Sequence, residues 1–169
     1  MIHSGNPFSD EPGSRDPVRR LRGRLASPVT IITAGTSANR TGLTVSALAV
    51  VEGEPAQVHT FISPASDLWT LAAETRRFIV HILGFEHATL AEVFAGLRPS
   101  PGGLFATAPT TDSDWGPVLS AIPNRAFCTV ISHEEVGFSG LMAAAIDRTE
   151  LSDFSDPLVY FRARYRRLG

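Results

Sequence analysis

Between Leu43 and Val51 every odd position is apolar: Leu43, Val45, Ala47, Ala49 and Val51. The even positions begin with Thr44 and Ser46 and continue with Leu48 and Val50. A period of two is the mark of a strand with one face in a core, so this run predicts a strand. Thr44 and Ser46 then stand side by side on its other face, next to the flexible Gly42. Short hydroxyl side chains beside a glycine leave room for a flat ligand and offer it hydrogen-bond donors. The same residues equally suit an ordinary half-exposed strand.

Further strands are expected at Pro28 to Thr33, Gln57 to Ile62, Phe78 to Leu83, Ala126 to Ser132, Val136 to Ile146 and Pro157 to Phe161. Three helices punctuate them. Asp16 followed by Pro17 is an N-cap with proline at the first helical position. That helix carries Val18, Leu21 and Leu25 inward and Arg19, Arg20, Arg22 and Arg24 outward. Asp67 to Thr75 is a short helix capped by Ser66, with Leu68, Leu71 and Ala72 inward. His87 to Ala95 is amphipathic, with Leu90, Val93 and Phe94 on its apolar side and Gly96 as its stop. Residues 97–124, full of Pro, Gly, Thr and Asp, read as a long loop with irregular turns around Trp115, of the kind that forms lids or substrate contacts. Six or seven short strands with few helices favour a closed or partly open β-barrel over a parallel sheet. By composition residues 1–15 are expected to form a mobile tail, and 16–169 a single domain.

Composition narrows the chemistry. The chain has 169 residues, 43% of them hydrophobic and 19% charged, enough apolar material for a real core. A formal charge of −2 gives no pull toward nucleic acid or an anionic membrane. All 15 basic residues are arginine. Without lysine there is no P-loop and no Schiff base, so phosphate recognition falls to arginine, hydroxyls or backbone amides. The single cysteine, Cys128, lies in an apolar run and reads as a core residue. The N-terminal stretch MIHSGNPFSDEPGSRDP has no apolar core of a secretory signal, and Leu141 to Ile146 is far short of the ~20 residues that span a bilayer. The expectation is a cytoplasmic protein without nucleic-acid or membrane partners.

Several familiar sites are excluded. No G-x-G-x-x-G follows a strand, so a Rossmann site is unsupported. The histidines at 3, 59, 81, 87 and 133 lack metal-ligand spacing, so no metal site is expected. Gly137-Phe138-Ser139-Gly140 lacks the closing glycine of a nucleophile elbow. His81, inside an apolar strand, reads as a hydrogen-bonded core residue.

Taken in order, the remaining motifs converge. Val29-Thr30-Ile31-Ile32-Thr33 and Thr41-Gly42-Leu43-Thr44-Val45-Ser46-Ala47-Leu48 resemble the "VTVVT…GxTxNS" opening of the flavin reductase-like, FMN-binding split-barrel family. Phe78 to Leu83 is similar to its "FxVNVL", and Leu90 to Gly96 to its "LAxxFAG". Pro157 to Phe161, followed by Tyr165-Arg166-Arg167-Leu168, resembles its "PLVYFxxxYRxL". The resemblance covers roughly residues 20 to 168.

It implies a mainly β fold, a split β-barrel of Greek-key type with a few helices. It also implies an oxidoreductase that reduces FMN or FAD with NADH or NADPH. Such a protein works as a homodimer and supplies reduced flavin, by diffusion, to a partner monooxygenase. Thr33, Thr44, Val45, Ser46 and Ala47 would line the flavin ring. Ser63 and Ser66 would hold its ribityl chain and phosphate, with Arg40, Arg76 or Arg77 compensating charge. No side chain need act as acid or base. A non-catalytic flavin carrier and a split-barrel enzyme using a deazaflavin are the alternatives.

Three departures stand out. Ser66-Asp67-Leu68 replaces the family's "SxT", and His81 replaces its asparagine. Gly137-Phe138-Ser139 stands where "GDH", associated with nicotinamide and flavin contact, is expected.

Overall fold

The β-branched and aromatic runs become strands, where stiff side chains pack well on a pleated surface. The computed structural model describes residues 16–169, so the expected tail at 1–15 lies outside the described residues. In chain order the elements are α1 (Pro17–Arg22), β1 (Ser27–Pro28), β2 (Thr30–Gly35), β3 (Arg40–Val45), β4 (Leu48–Val51) and β5 (Gln57–Ile62). Then come α2 (Asp67–Thr75), β6 (Arg77–Ile82), a 3-10 turn (Phe85–His87), α3 (Ala88–Phe94), β7 (Thr110–Thr111) and β8 (Val118–Leu119). The chain closes with β9 (Arg125–Val136), β10 (Ser139–Glu150), β11 (Val159–Phe161) and β12 (Arg164–Arg166).

Seven strands form one antiparallel sheet in the order β3-β2-β6-β9-β10-β5-β4. Its two edges, β3 and β4, are consecutive in sequence and separated by Ser46 and Ala47 alone. Laid flat, six inter-strand spacings would hold the edges roughly 29 Å apart. The three Cα steps from Val45 to Leu48 reach at most about 11 Å. The sheet therefore has to curl until its edges meet. Ala47 marks the meeting: its carbonyl accepts from the Phe61 N–H at 2.9 Å and the Thr60 hydroxyl at 3.0 Å. The single strand expected from Leu43 to Val51 is thus two strands with a break at Ser46-Ala47. The alternation runs on through Ala47 and Ala49, but both alanines are exposed, since the break rotates the chain out of the first strand's register.

Inside the curl lie Ile32, Val45, Val58, Phe78, Val130 and Met142 with their neighbours, and Leu68 and Ala72 of α2 plug one end. A second apolar cluster lies outside the sheet, where α3, the 97–124 segment and the C-terminal residues cover the outward side of β2 through Val29, Ile31, Phe94, Leu119 and Leu158. Residues 97–124 are more ordered than the loop expected. They carry the short β7–β8 ladder, and Trp115 donates to Asp147 Oδ2 at 2.8 Å, an oxygen that also accepts from the Thr129 hydroxyl at 2.6 Å. Arg77 and Arg148 both reach over the Trp115 ring.

Two expectations are corrected. Asp16 caps α1 through Val18 N–H as expected, but Val18, Leu21 and Leu25 are exposed at 69, 62 and 62%. Their helical spacing is amphipathic, yet no residue of α1 is buried. The strand expected from Val136 to Ile146 contains a hairpin turn. Gly137 (φ 60°) and Phe138 link β9 to β10, and Phe138 stands fully exposed at the tip. β9 is correspondingly longer than the expected Ala126 to Ser132.

Cys128 and His81 are core residues, as their settings in sequence suggest. Burial pushes the Cys128 thiol up to about 12, so no thiolate is available at neutral pH. His81 is fully buried with both ring nitrogens used: Nδ1 donates to the Ile31 carbonyl at 3.1 Å, and Nε2 accepts from the Leu119 N–H at 3.1 Å. That pairing fixes a neutral ring, and desolvation, outweighing the bond to Ile31, lowers its pKa to about 3. Between pH 6.5 and about 3 the unfolded chain binds a proton here that the folded chain refuses. The contribution to stability is fully present above pH 6.5 and shrinks on acidification, by about 1.4 kcal/mol per pH unit at most. Urea midpoints recorded from pH 7 to 4 should therefore fall more steeply for the natural chain than for His81→Asn.

Candidate functional site

The joint between the sheet's edges is chemically unusual. The Ala47 carbonyl accepts twice, whereas among the described residues no protein acceptor meets the N–H groups of Ser46 and Ala47. Ser46 is half-buried and Ala47 exposed, so these donors face an accessible surface. Around them the wall is made of two alanines, one exposed (Ala49) and one buried (Ala143), with the half-buried His59 between them. Ala49, His59 and Ala143 are paired across β4, β5 and β10, and alternation turns them outward because Val58, Thr60 and Ile62 point into the barrel. A flat wall with two free donors at its edge can seat a planar heteroaromatic ring and hydrogen-bond its rim.

The serine loop lies close by. Phe61, bonded to Ala47, is two residues before Ser63, about 7 Å along an extended chain. Ser66 caps α2, accepting from Trp69 N–H at 3.2 Å and donating its proton to the Ser63 carbonyl at 2.7 Å. The Ser63 hydroxyl accepts from Ala65 N–H at 3.3 Å, and its own proton meets no acceptor among the described residues. The Asp67 and Leu68 N–H groups at the positive end of α2 have no protein acceptor among the described residues. Ser63 and the helix end are thus equipped for a phosphate or polyol, while Ser66 holds the loop that presents them.

The hairpin tip completes the neighbourhood. Gly140 pairs with Ile62, so the next step along both strands sets Ser139 beside Ser63. Gly140 lies under the Trp69 ring, where a Cβ would fall well inside contact distance, and the edge of Trp69 also meets His133 at 5.4 Å between centroids. The residues at the "GDH" position therefore stand next to the serine loop. Sequence reading did not identify this adjacency, which only the β5–β10 register reveals, nor the placement of His59 on the wall.

Not every expected site residue reaches this surface. Thr33 is fully buried on the sheet's opposite flank, its hydroxyl donating to the Pro117 carbonyl at 2.7 Å. Thr44 donates to the Ala91 carbonyl of α3 at 2.7 Å and is partly covered by that helix. Val45 points into the core. Ser46, Ala47, Ser63 and Ser66 are brought together. Arg76 is spent on the Val130 and Ile131 carbonyls at 2.8 and 3.2 Å, and Arg77 reaches the Asp114 carbonyl and the Trp115 ring, both at the far end of α2. Arg40 stands in a separate cleft with Asp67 and Thr70.

An antiparallel sheet curled until its edges meet, with a helix across one end, is the architecture of a split β-barrel. The flavin reductase like domain model matches residues 22–169, and the chain belongs to that family. An FMN reductase (NADH) RutF 1 of Methylorubrum extorquens is 28% identical over 150 residues, 89% of this chain and 75% of that protein. The 4-hydroxyphenylacetate 3-monooxygenase reductase component of Pseudomonas aeruginosa is 26% identical over 157 residues, 89% of each chain. The fold is that of the styrene monooxygenase flavin reductase from Pseudomonas putida, with a TM-score of 0.79 at 19% identity over 91% of this chain and 98% of that one.

The close approach at Gly140 is testable. In Gly140→Ala the added methyl forces Trp69 aside, and overpacking of that kind costs about 1–3 kcal/mol. Urea unfolding followed by tryptophan emission should show a lower midpoint and an altered native spectrum.

Proposed function

We propose that the chain is an NAD(P)H:flavin oxidoreductase that reduces FMN or FAD and supplies the reduced flavin to a partner monooxygenase. The observation that carries this reading is the pair of free N–H groups at Ser46 and Ala47 beside the wall of Ala49, His59 and Ala143, within a chain of the flavin reductase like family. The relatives named FMN reductase and monooxygenase reductase component support the activity and the partner.

Ser46 and Ala47 hold the rim of the ring through their amides, with the Ser46 hydroxyl beside them. Ser63, the free N–H groups at the start of α2 and the loop fixed by Ser66 hold the ribityl chain and phosphate. The flavin, when bound, supplies the redox chemistry by accepting a hydride from the nicotinamide. The protein's part is orientation and electrostatics: it holds two flat partners face to face and limits water between them. Thr33 and Thr44 have structural roles in this reading, tying the covered side of the sheet to Pro117 and to α3, and Val45 packs in the core. Metal plays no part in this reading, and neither does a side-chain acid or base.

The functional unit in this reading is a homodimer. The outward side of β4, β5 and β10 exposes Val51 at 48% and Phe61 at 44%, beside Val136 at 45%, and a second copy covers it and narrows the open wall into a slot. A cytoplasmic setting fits the same reading. Among the described residues no helix is long and apolar enough to cross a membrane.

Phe138 and Ser139 favour a second reading, a flavin carrier without reductase activity, because the resemblance leads one to expect aspartate and histidine there. Absorbance near ~450 nm after incubation with FMN marks a flavin binder. Steady NADH or NADPH oxidation with added flavin then marks the enzyme, and bound flavin with no oxidation marks the carrier. Ser46→Asp places a carboxylate against the electron-rich rim of the ring. It should weaken FMN binding at least about tenfold, the scale of one charge-assisted contact turned repulsive, with the fold intact by circular dichroism. FMN quenching titrations read the result.

Phe61→Glu addresses the dimer. Sedimentation should show the natural chain at twice its monomer mass and the variant as a monomer with weakened flavin uptake.

A further inference from the structure

The apolar side of α1 finds no core, and the surface around it is strongly charged. Arg19, Arg20, Arg22 and Arg24 lie in α1 and the turn after it. Arg162, Arg164, Arg166 and Arg167 lie in the β11–β12 hairpin and directly after it, so eight of the chain's 15 arginines fall in two short segments. Residues 25–161, between these segments, hold fourteen acidic residues and six arginines. The formal charge of −2 therefore averages an acidic barrel with a basic pole. The expectation of no membrane partner rests on that average, whereas attraction is local, falling off within about 10 Å.

The fold brings the two segments together. β1, which follows α1 after a short turn, pairs with β11, and β11 pairs with β12. Burial raises the pKa of Tyr160 on β11, and the nearby Arg22 charge lowers it. Tyr160 meets Tyr165 edge to face at 5.8 Å, and both rings pack on the second apolar cluster. Arg164 and Arg166 flank Tyr165 along β12, so alternation turns them to solvent. All eight arginines are exposed, and among the described residues only Arg167 has an ion pair, with Asp156 at 3.1 Å. Like charges crowded in this way repel, and an anionic partner relieves the repulsion.

The pole also carries apolar groups. Val18, Leu21 and Leu25 are exposed among the arginines of α1 and its turn. Where the turn ends, Ala26 lines an apolar hollow of about 340 Å³ with Pro28, Phe154, Val159 and Leu168. Val159 is paired with Arg166, so the hollow lies beside the arginines of the hairpin. Leucine and arginine interleaved on one exposed surface suit the boundary between lipid headgroups and acyl chains. There the apolar side chains dip inward and the guanidinium groups stay at the phosphates.

We infer that this pole docks on an anionic phospholipid surface, with Val18, Leu21, Leu25 and Leu168 dipping in and the arginines of α1 and the hairpin on lipid phosphates. The charge selects an anionic surface, and the apolar side chains among the arginines select lipid over a purely polar polyanion. The pole adjoins the second apolar cluster, on the side of the barrel that α3 covers, so docking leaves the wall of β4, β5 and β10 open. Docking of this kind does not depend on the reductase reading.

Cosedimentation of the full chain with phosphatidylcholine vesicles, with and without phosphatidylglycerol, is the test. The natural chain should pellet with the anionic vesicles, stay in solution with pure phosphatidylcholine, and detach as salt screens the contact. Arg164→Ser combined with Arg166→Ser should lower the partition coefficient about fivefold per charge removed. Leu21→Ser combined with Leu25→Ser keeps the charge and should lower it at least about tenfold, the scale of two leucine side chains kept out of an apolar phase. These positions are exposed, so circular dichroism, sedimentation mass and FMN binding should match the natural chain in both variants. Equal binding to both kinds of vesicle, or binding to neither, would overturn the inference. Tight binding to duplex DNA or polyglutamate, with the leucine variant unaffected, would overturn it too and mark a nucleic acid or an acidic protein as the partner. A leucine variant at half the natural chain's mass would assign the apolar side of α1 to a second copy, with the same consequence.

Discussion

The whole arrangement hangs on a connection too short for a flat sheet. Two residues, Ser46 and Ala47, carry the chain from one edge of a seven-stranded sheet to the other. Nothing in the strands themselves demands a barrel, since right-handed twist alone would give an open, saddle-shaped sheet. The short link imposes closure, and closure decides which backbone groups find partners. The Ala47 carbonyl is pulled onto β5 and accepts twice, while the two N–H groups on the other side of the link are turned away from either ladder. Unpaired backbone donors are costly when buried, so they persist at an accessible edge where solvent or a ligand can satisfy them.

Closure also divides the outside of the barrel into two halves. Around β2, helix α3, the 97–124 segment and the C-terminal residues lay down a second core, and Asp147 pins Trp115 to the sheet. Around β4, β5 and β10 no such layer lies among the described residues, and small or exposed apolar side chains form the surface. The covered half gives rigidity, and the bare half gives access. Helix α2 serves both: Leu68 and Ala72 stop the barrel's end, while its first turn presents the serine loop. The replacements at Phe138 and Ser139 fall on the bare half, beside Ser63. The nearest imidazoles on this face come from elsewhere in the chain: His133 meets the Trp69 ring that lies over Gly140, and His59 is paired with Ala143.

Much of this was legible in the sequence, for local reasons. Gln57–Ile62 and Asp67–Thr75 are the strand and helix expected, because alternation in one and a capping serine in the other are short-range signals. The break at Ser46-Ala47 was not legible, because alanine continues an apolar pattern whether its face is buried or bare. The fate of Thr33 depends on a bond to Pro117, 84 residues away, which no local pattern encodes. The amphipathic spacing of Val18, Leu21 and Leu25 states that a helix has an apolar side but not what covers it. Arg40 was one of three equivalent arginines until the fold spent Arg76 and Arg77 on backbone carbonyls.

The central claim is that the free amides of the edge joint, and no side-chain acid or metal, take hold of the ring's rim. Amide hydrogen exchange at single-residue resolution, recorded by NMR with and without FMN, addresses it most directly. The account predicts fast exchange at Ser46 and Ala47 in the free chain and strong protection of both when FMN is bound. FMN bound at saturation with those two amides still exchanging freely would contradict it.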